Sequence, residues 1–91
     1  MFNTQEEVKE YLMMIGCEDT TVFECSDYCT AFIGTDLSTG RAIYEYDLMI
    51  KHLMNHEGMS QDEAIEWIDY NTLGALPSIP NAPIILRKSF F

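Results

Sequence analysis

Positive charge is what this sequence has least of. Its 91 residues hold 5 Lys and Arg against 15 Asp and Glu, a formal net charge of −10. A surface so short of cations repels a phosphate backbone, so no direct binding to nucleic acid is expected. Long apolar runs are also missing. None approaches the ~20 residues that span a bilayer, so no membrane partner is expected. The stretch from Met1 to Glu7 has neither a basic nor an apolar leader segment, and a cytoplasmic setting is the expectation. Cysteine is sparse and odd in number: Cys17, Cys25 and Cys29. The last two are separated by three residues rather than two, so neither a zinc knuckle nor a redox pair is spelled. Reduced thiols are expected. A glycine-rich phosphate loop is absent as well; Gly34 and Gly40 read as a strand glycine and a turn glycine.

What is present suffices to fold. Apolar residues make up 47% of the chain and aromatics 12%. Their periodicity argues against disorder despite the charge. The length suits a single domain, 1–91, with one modest core and a stability of roughly 5 kcal/mol. The charge is unevenly placed. All 15 acids lie between Glu6 and Asp69, accompanied there only by Lys9, Arg41 and Lys51. From Tyr70 onward there is no acid, and Arg87 and Lys88 appear.

Local signals divide the chain. Thr4 and Glu7 have the spacing of a capping box, and Val8, Tyr11, Leu12 and Ile15 follow at helical spacing. Gly16 suits the stop. The β-branched and aromatic run from Thr20 to Cys25 reads as a strand. Tyr28 to Thr35 reads as a second, and Arg41 to Tyr46 as a third, after the turn-rich Asp36–Gly40. Asp47 is expected to cap a second helix, Leu48 to Glu57, stopped by Gly58. Ser60 and Glu63 spell another capping box, opening a third helix that reaches about Asn71 or Leu73. Pro77, Pro80 and Pro83 rule out further helix. The run Pro83-Ile84-Ile85-Leu86 reads as a short last strand, its proline at the start or on an edge. The fold class is therefore α+β: an N-terminal helix, a small antiparallel sheet of three to four strands, two consecutive helices and a short C-terminal strand. The helices should cover one face of the sheet, leaving some tyrosines on the other.

The second half of the chain resembles a known group. Tyr44-Glu45-Tyr46-Asp47-Leu48-Met49, Gly58-Met59-Ser60, Trp67-Ile68-Asp69-Tyr70-Asn71-Thr72-Leu73, Ala75-Leu76-Pro77 and Ala82-Pro83-Ile84-Ile85 are similar to a family of small acidic proteins from Gram-positive bacteria, their prophages and phages. The resemblance covers roughly residues 41–86 and is most specific at 68–73. Most of that family has no assigned activity, so the resemblance supplies no catalytic residue. It implies a phage-linked setting, in which small acidic proteins often block host enzymes.

Several constellations bear on chemistry. His52 and His56, four apart on one helix, could share a metal, but only two ligands converge. The intervening Leu53-Met54-Asn55 lacks the glutamate of a metalloprotease. Two polar residues on an exposed helix face is the simpler expectation. Glu45 and Asp47 share a strand face, yet Asp47 is better used as a cap. Neither Cys25 nor Cys29 has a histidine placed nearby by the local sequence. No catalytic residue and no cofactor are expected, and the chain does not read as an enzyme. Asp69, Tyr70, Asn71 and Thr72 end the third helix with four polar groups. A buried hydrogen-bonded cluster is favoured there over a binding pocket. Trp67 and the tyrosines are the residue types that anchor interfaces.

Asp62, Glu66 and Asp69 form an i, i+4, i+7 stripe flanked by Glu63. Either they form a solvated face, or they imitate a row of phosphates. The leading expectation is a non-enzymatic acidic binding protein. It would occupy the basic, nucleic-acid-binding groove of a host defence nuclease in the manner of an anti-CRISPR inhibitor. Asp62, Glu63, Glu66 and Asp69 would contact the partner, with Glu6 and Glu10 in support. The alternative is a small structural or regulatory module, acting as a homodimer or through an apolar interface. Third comes a metal-binding protein using His52 and His56.

Overall fold

The computed structural model describes residues 4–17, 19–23 and 28–87. The first helix, α1, runs Gln5–Met14. Thr4 starts it: the Glu7 backbone N–H donates to Thr4 Oγ1 at 3.2 Å, and the hydroxyl reaches Glu7 Oε1 at 3.3 Å. Val8 and Leu12 are buried, while Ile15 at the end of the stripe is exposed.

The expected strand at Thr20 does not form in its described part. Thr20–Phe23 is held instead by side chains. Thr20 Oγ1 donates to Gly40 O at 3.0 Å, Gln5 Nε2 donates to Phe23 O at 3.0 Å, and the Phe23 N–H donates to the Tyr44 hydroxyl at 3.2 Å. The rest of that expected strand, Glu24 and Cys25, lies outside the described residues. The second expected strand is shorter than its composition suggests. Cys29–Ala31 is a 3₁₀ turn, and only Phe32–Thr35 is strand β1.

Strand β2 is Ala42–Glu45 and β3 is Ile84–Leu86, in the order β1-β2-β3. β1 pairs antiparallel with β2, Phe32 opposite Tyr44 and Thr35 opposite Ala42, across an irregularity between Phe32 and Gly34. β3 pairs parallel with β2, Ile43 against Ile84 and Glu45 against Leu86. The sheet is therefore mixed rather than antiparallel, and it has three strands among the described residues. A parallel neighbour needs a long crossover, which the intervening helices provide.

Helix α2 is Tyr46–Glu57, two residues longer than expected at its start. Glu45 occupies the cap position, and Asp47 sits in the first turn rather than capping. A carboxylate there still faces the positive end of the helix dipole. Gly58 ends the helix with φ 68°, a conformation costly for any residue with a Cβ. Helix α3 is Gln61–Trp67, and it continues directly into a π-helical turn, Ile68–Leu73. The proline-containing segment then leads back to β3.

The core lies between the helices and one face of the sheet. Val8, Leu12, Phe32, Ala42, Tyr44, Met49, Leu53, Ala64 and Ile68 are buried in one cluster. Tyr11 meets Phe32 edge-on at 6.0 Å between ring centroids, and Phe32 meets Tyr44 at 5.6 Å. Tyr44 is thus on the core face, fully buried, and burial pushes its phenol up to about 12. The tyrosines do not furnish an open second face. Tyr28 is also buried, and Tyr46 lies half-buried under the Arg87 guanidinium, 5.1 Å from its ring centre.

Candidate functional site

Every third or fourth residue of α3 and its π extension points inward. Ala64 and Ile68 are fully buried, and Thr72 is nearly so. The outer side is left to Asp62, Glu63, Glu66, Trp67, Asp69, Tyr70 and Asn71, all exposed. The helix starts with a complete capping box. The Glu63 N–H donates to Ser60 Oγ at 3.2 Å, and the Ser60 N–H donates to Glu63 Oε1 at 2.9 Å. That backbone donor, followed by the Ser60 side chain, holds the Glu63 carboxyl below its ordinary value, so it stays ionised. One carboxylate oxygen is used in the box, and the side chain as a whole is exposed.

The π turn carries a tertiary contact. Thr72 Oγ1 and the Tyr28 hydroxyl are 2.7 Å apart in the interior. Gly74 closes the turn: its N–H donates to Asp69 O at 3.1 Å. A Cβ at this position would come within 2.8 Å of the Tyr70 carbonyl oxygen, so only glycine fits without displacement.

The expected four-residue buried cluster is therefore split. Thr72 alone is buried. Asp69, Tyr70 and Asn71 are on the surface, and Tyr70 is 82% exposed. The Asn71 amide nitrogen donates to Trp67 O at 3.3 Å. A carbonyl can only accept, which assigns the amide nitrogen to this bond and leaves Asn71 Oδ1 without a partner among the described residues.

Around Trp67 the surface is indented. A shallow groove of about 410 Å³ is lined by Met59, Glu63, Glu66, Trp67, Tyr70 and Asn71. Trp67 is 45% exposed and forms the ridge between this groove and a smaller cavity of about 260 Å³ lined in part by Phe23, Tyr28 and Ala75. The acidic stripe is thus divided. Glu66 and Glu63 line the groove with the aromatics, whereas Asp62 and Asp69 are exposed outside it. Glu6 and Glu10 line a different depression, on α1, together with Lys9, Glu7 and Met13. The structure does not bring the two sets into one cavity. Met59 is the groove residue that sequence reasoning missed; its place in a two-residue joint between helices was the available signal.

The histidines behave differently from expectation. His52 is not on an exposed face; it is only 3% exposed. Its Nδ1 lies 2.6 Å from Thr30 Oγ1. His56 is exposed, with Nδ1 3.2 Å from His52 O, and the two rings stack at 4.2 Å and 17°. Burial follows from the packing of α2 against the Cys29–Ala31 turn, which covers the His52 side of the helix. Both Nδ1 atoms are thereby occupied within the fold. Among the described residues no group of three or more His, Cys, Asp and Glu is placed to hold a metal ion. Cys29 is buried and Cys17 half-buried, both as free thiols. Cys25 lies outside the described residues. No described helix is long and apolar enough to cross a membrane.

No family model, curated protein or solved structure matches the chain.

Proposed function

We propose that this is a non-enzymatic, cytoplasmic acidic binding protein whose partner is a protein with a basic, nucleic-acid-binding groove. In its concrete form it is a phage-type inhibitor of a host defence nuclease, anti-CRISPR-like in action. One observation carries the reading: the outer face of α3 presents Asp62, Glu63, Glu66 and Asp69 to solvent beside a half-exposed tryptophan and an exposed tyrosine. A purely solvating face has no use for exposed aromatics, whereas Trp and Tyr anchor interfaces. The mechanism is competition: carboxylates occupy the arginines that otherwise hold phosphates. Glu6 and Glu10, on a separate element, would serve as a second, peripheral contact.

The test is retention of host proteins on the immobilised chain. A nucleic-acid-binding protein should be held at low salt, released between roughly 50 and 200 mM salt, and displaced by added duplex DNA. Charge reversal of Asp62, Glu66 and Asp69 together should abolish retention. Retention that is flat with salt and indifferent to the triple variant would sink the reading.

A second reading, a homodimer or regulatory module joined through an apolar interface, draws on the end of α1. There Met13 is 67% exposed and Met14 85%. Sedimentation of the chain against a variant with both methionines changed to serine separates the two. A mass that halves in the variant supports the second reading, and an unchanged monomer removes it.

A further inference from the structure

The groove beside Trp67 combines three features that seldom coincide on a solvated helix. Its walls are aromatic, Trp67 and Tyr70. Its rim is anionic, Glu63 and Glu66. Asn71, also in the lining, adds an amide oxygen without a partner among the described residues. Glu66 has no hydrogen-bond or ionic partner among the described residues, and Glu63 has one carboxylate oxygen beyond the capping box. The groove also rests on a π-helical turn, a rare element that is frequent at functional sites. At about 410 Å³ and open to solvent, it is too shallow to bury a free small molecule, which usually loses most of its surface to a pocket. It is large enough for one protruding side chain.

Charge complementarity names that side chain. A net charge of −10 selects a cation. Between the two candidate cations, the lining selects arginine. Its planar guanidinium stacks on an indole, forks to a carboxylate with two parallel N–H donors, and still has donors for Asn71 Oδ1. A lysine ammonium is a compact, strongly hydrated point charge and gains less from an indole face. We propose that this groove is an arginine-binding site. One arginine of the basic partner protein would lie across Trp67, paired with Glu66, while Glu63 supplies a second negative charge and Tyr70 the opposite wall. The proposal rests on the acidic-binder reading above and gives it a specific anchor. Asp62 and Asp69, outside the groove, act only at longer range.

Trp67 is the single tryptophan of the chain, so its emission and its indole N–H resonance report on the surroundings of that one side chain. The probes are acetylated hexa-arginine and hexa-lysine, which match in charge, titrated at low salt. Hexa-arginine should shift both Trp67 signals and bind about three- to fivefold more tightly than hexa-lysine. Glu66→Gln should erase that preference. Asp62→Asn, with the same loss of charge outside the groove, should keep it. Both side chains are exposed, so neither change threatens folding, which circular dichroism checks. If both peptides bind without moving the Trp67 signals, the arginine site is wrong and the acidic-binder reading stands. Equal responses to the two peptides, or a preference that survives Glu66→Gln, also overturn the site. If neither peptide binds, both readings fall.

Discussion

Helices α2 and α3 each carry polar side chains at i, i+4 spacing, and the fold treats the two sets in opposite ways. On α2 the pair is His52 and His56; the 3₁₀ turn at Cys29–Ala31 covers His52, which meets Thr30 in the interior. On α3 the set is Asp62 and Glu66, and both remain in water. Spacing along a helix says which residues share a face. It does not say whether another segment will come to lie on that face. His52, expected on an exposed helix face, became part of the scaffold, and of the acidic set Glu66 lines a groove beside Trp67 while Asp62 stays outside it.

The contrast can be broken most strongly at His52. His52→Ala removes a buried ring and leaves Thr30 without its partner, at an expected cost of about 2–3 kcal/mol in urea denaturation. His56→Ala should cost less than about 1 kcal/mol, since that ring is exposed, stacks on the first and reaches only the His52 carbonyl one turn back. Equal costs would mean that the two positions are not inside and outside as described.

A smaller effect belongs to the start of α3. Ser60→Ala deletes the hydroxyl that accepts from Glu63 N–H, and should cost about 1 kcal/mol. The other half of the box titrates. Because the folded Glu63 carboxyl sits below its unfolded value near 4.5, its contribution is complete above that pH. It is lost as pH falls through the folded value. The stability gap between the wild type and Glu63→Gln should therefore be open at pH 6 and close on acidification below 4.5. A gap independent of pH would show that the carboxylate does not engage the helix start.

The smallest effect is expected on the acidic face itself. Changing Asp62, Glu66 and Asp69 to the matching amides should move stability by no more than about 0.5 kcal/mol, with a slight gain from relieved repulsion as plausible in sign as a loss. A loss of several kcal/mol would make these carboxylates structural and would remove the reason to regard them as a recognition surface.

The helix boundaries were the most legible part of the fold. Thr4, Ser60 with Glu63, and Gly58 act through neighbours three to five residues away, so short-range sequence contains their partners. The missing strand at Thr20 shows the opposite case. Thr20, Thr21 and Val22 suit extended backbone, but a strand needs a ladder partner. What holds this segment is the Tyr44 hydroxyl, the Gln5 amide and the Gly40 carbonyl, none of which β-branching reveals. The tertiary contact of the π turn was out of reach for a similar reason, since Tyr28 lies 44 residues before Thr72. Gly74 was the turn's only local mark. At the candidate site, the acids and Trp67 were legible, but their division was not. Whether Glu66 or Asp62 shares a groove with Trp67 depends on how far the helix has turned by residue 70.

The parallel pairing of β3 with β2 also governs when this chain becomes complete. Ile84 must find Ile43, its neighbour in the ladder, across two helices and a proline-bearing connection. Closing so long a loop is entropically costly and slow compared with forming a helix or a hairpin. The contacts of α1, the β1–β2 hairpin and α2–α3 are closer in sequence and can form before residues 84–86 dock. Until they dock, the central strand has a bare edge from Ile43 to Glu45, open to any extended segment that meets it. The folding protein is thus most exposed to mispairing in the interval just before its last strand arrives.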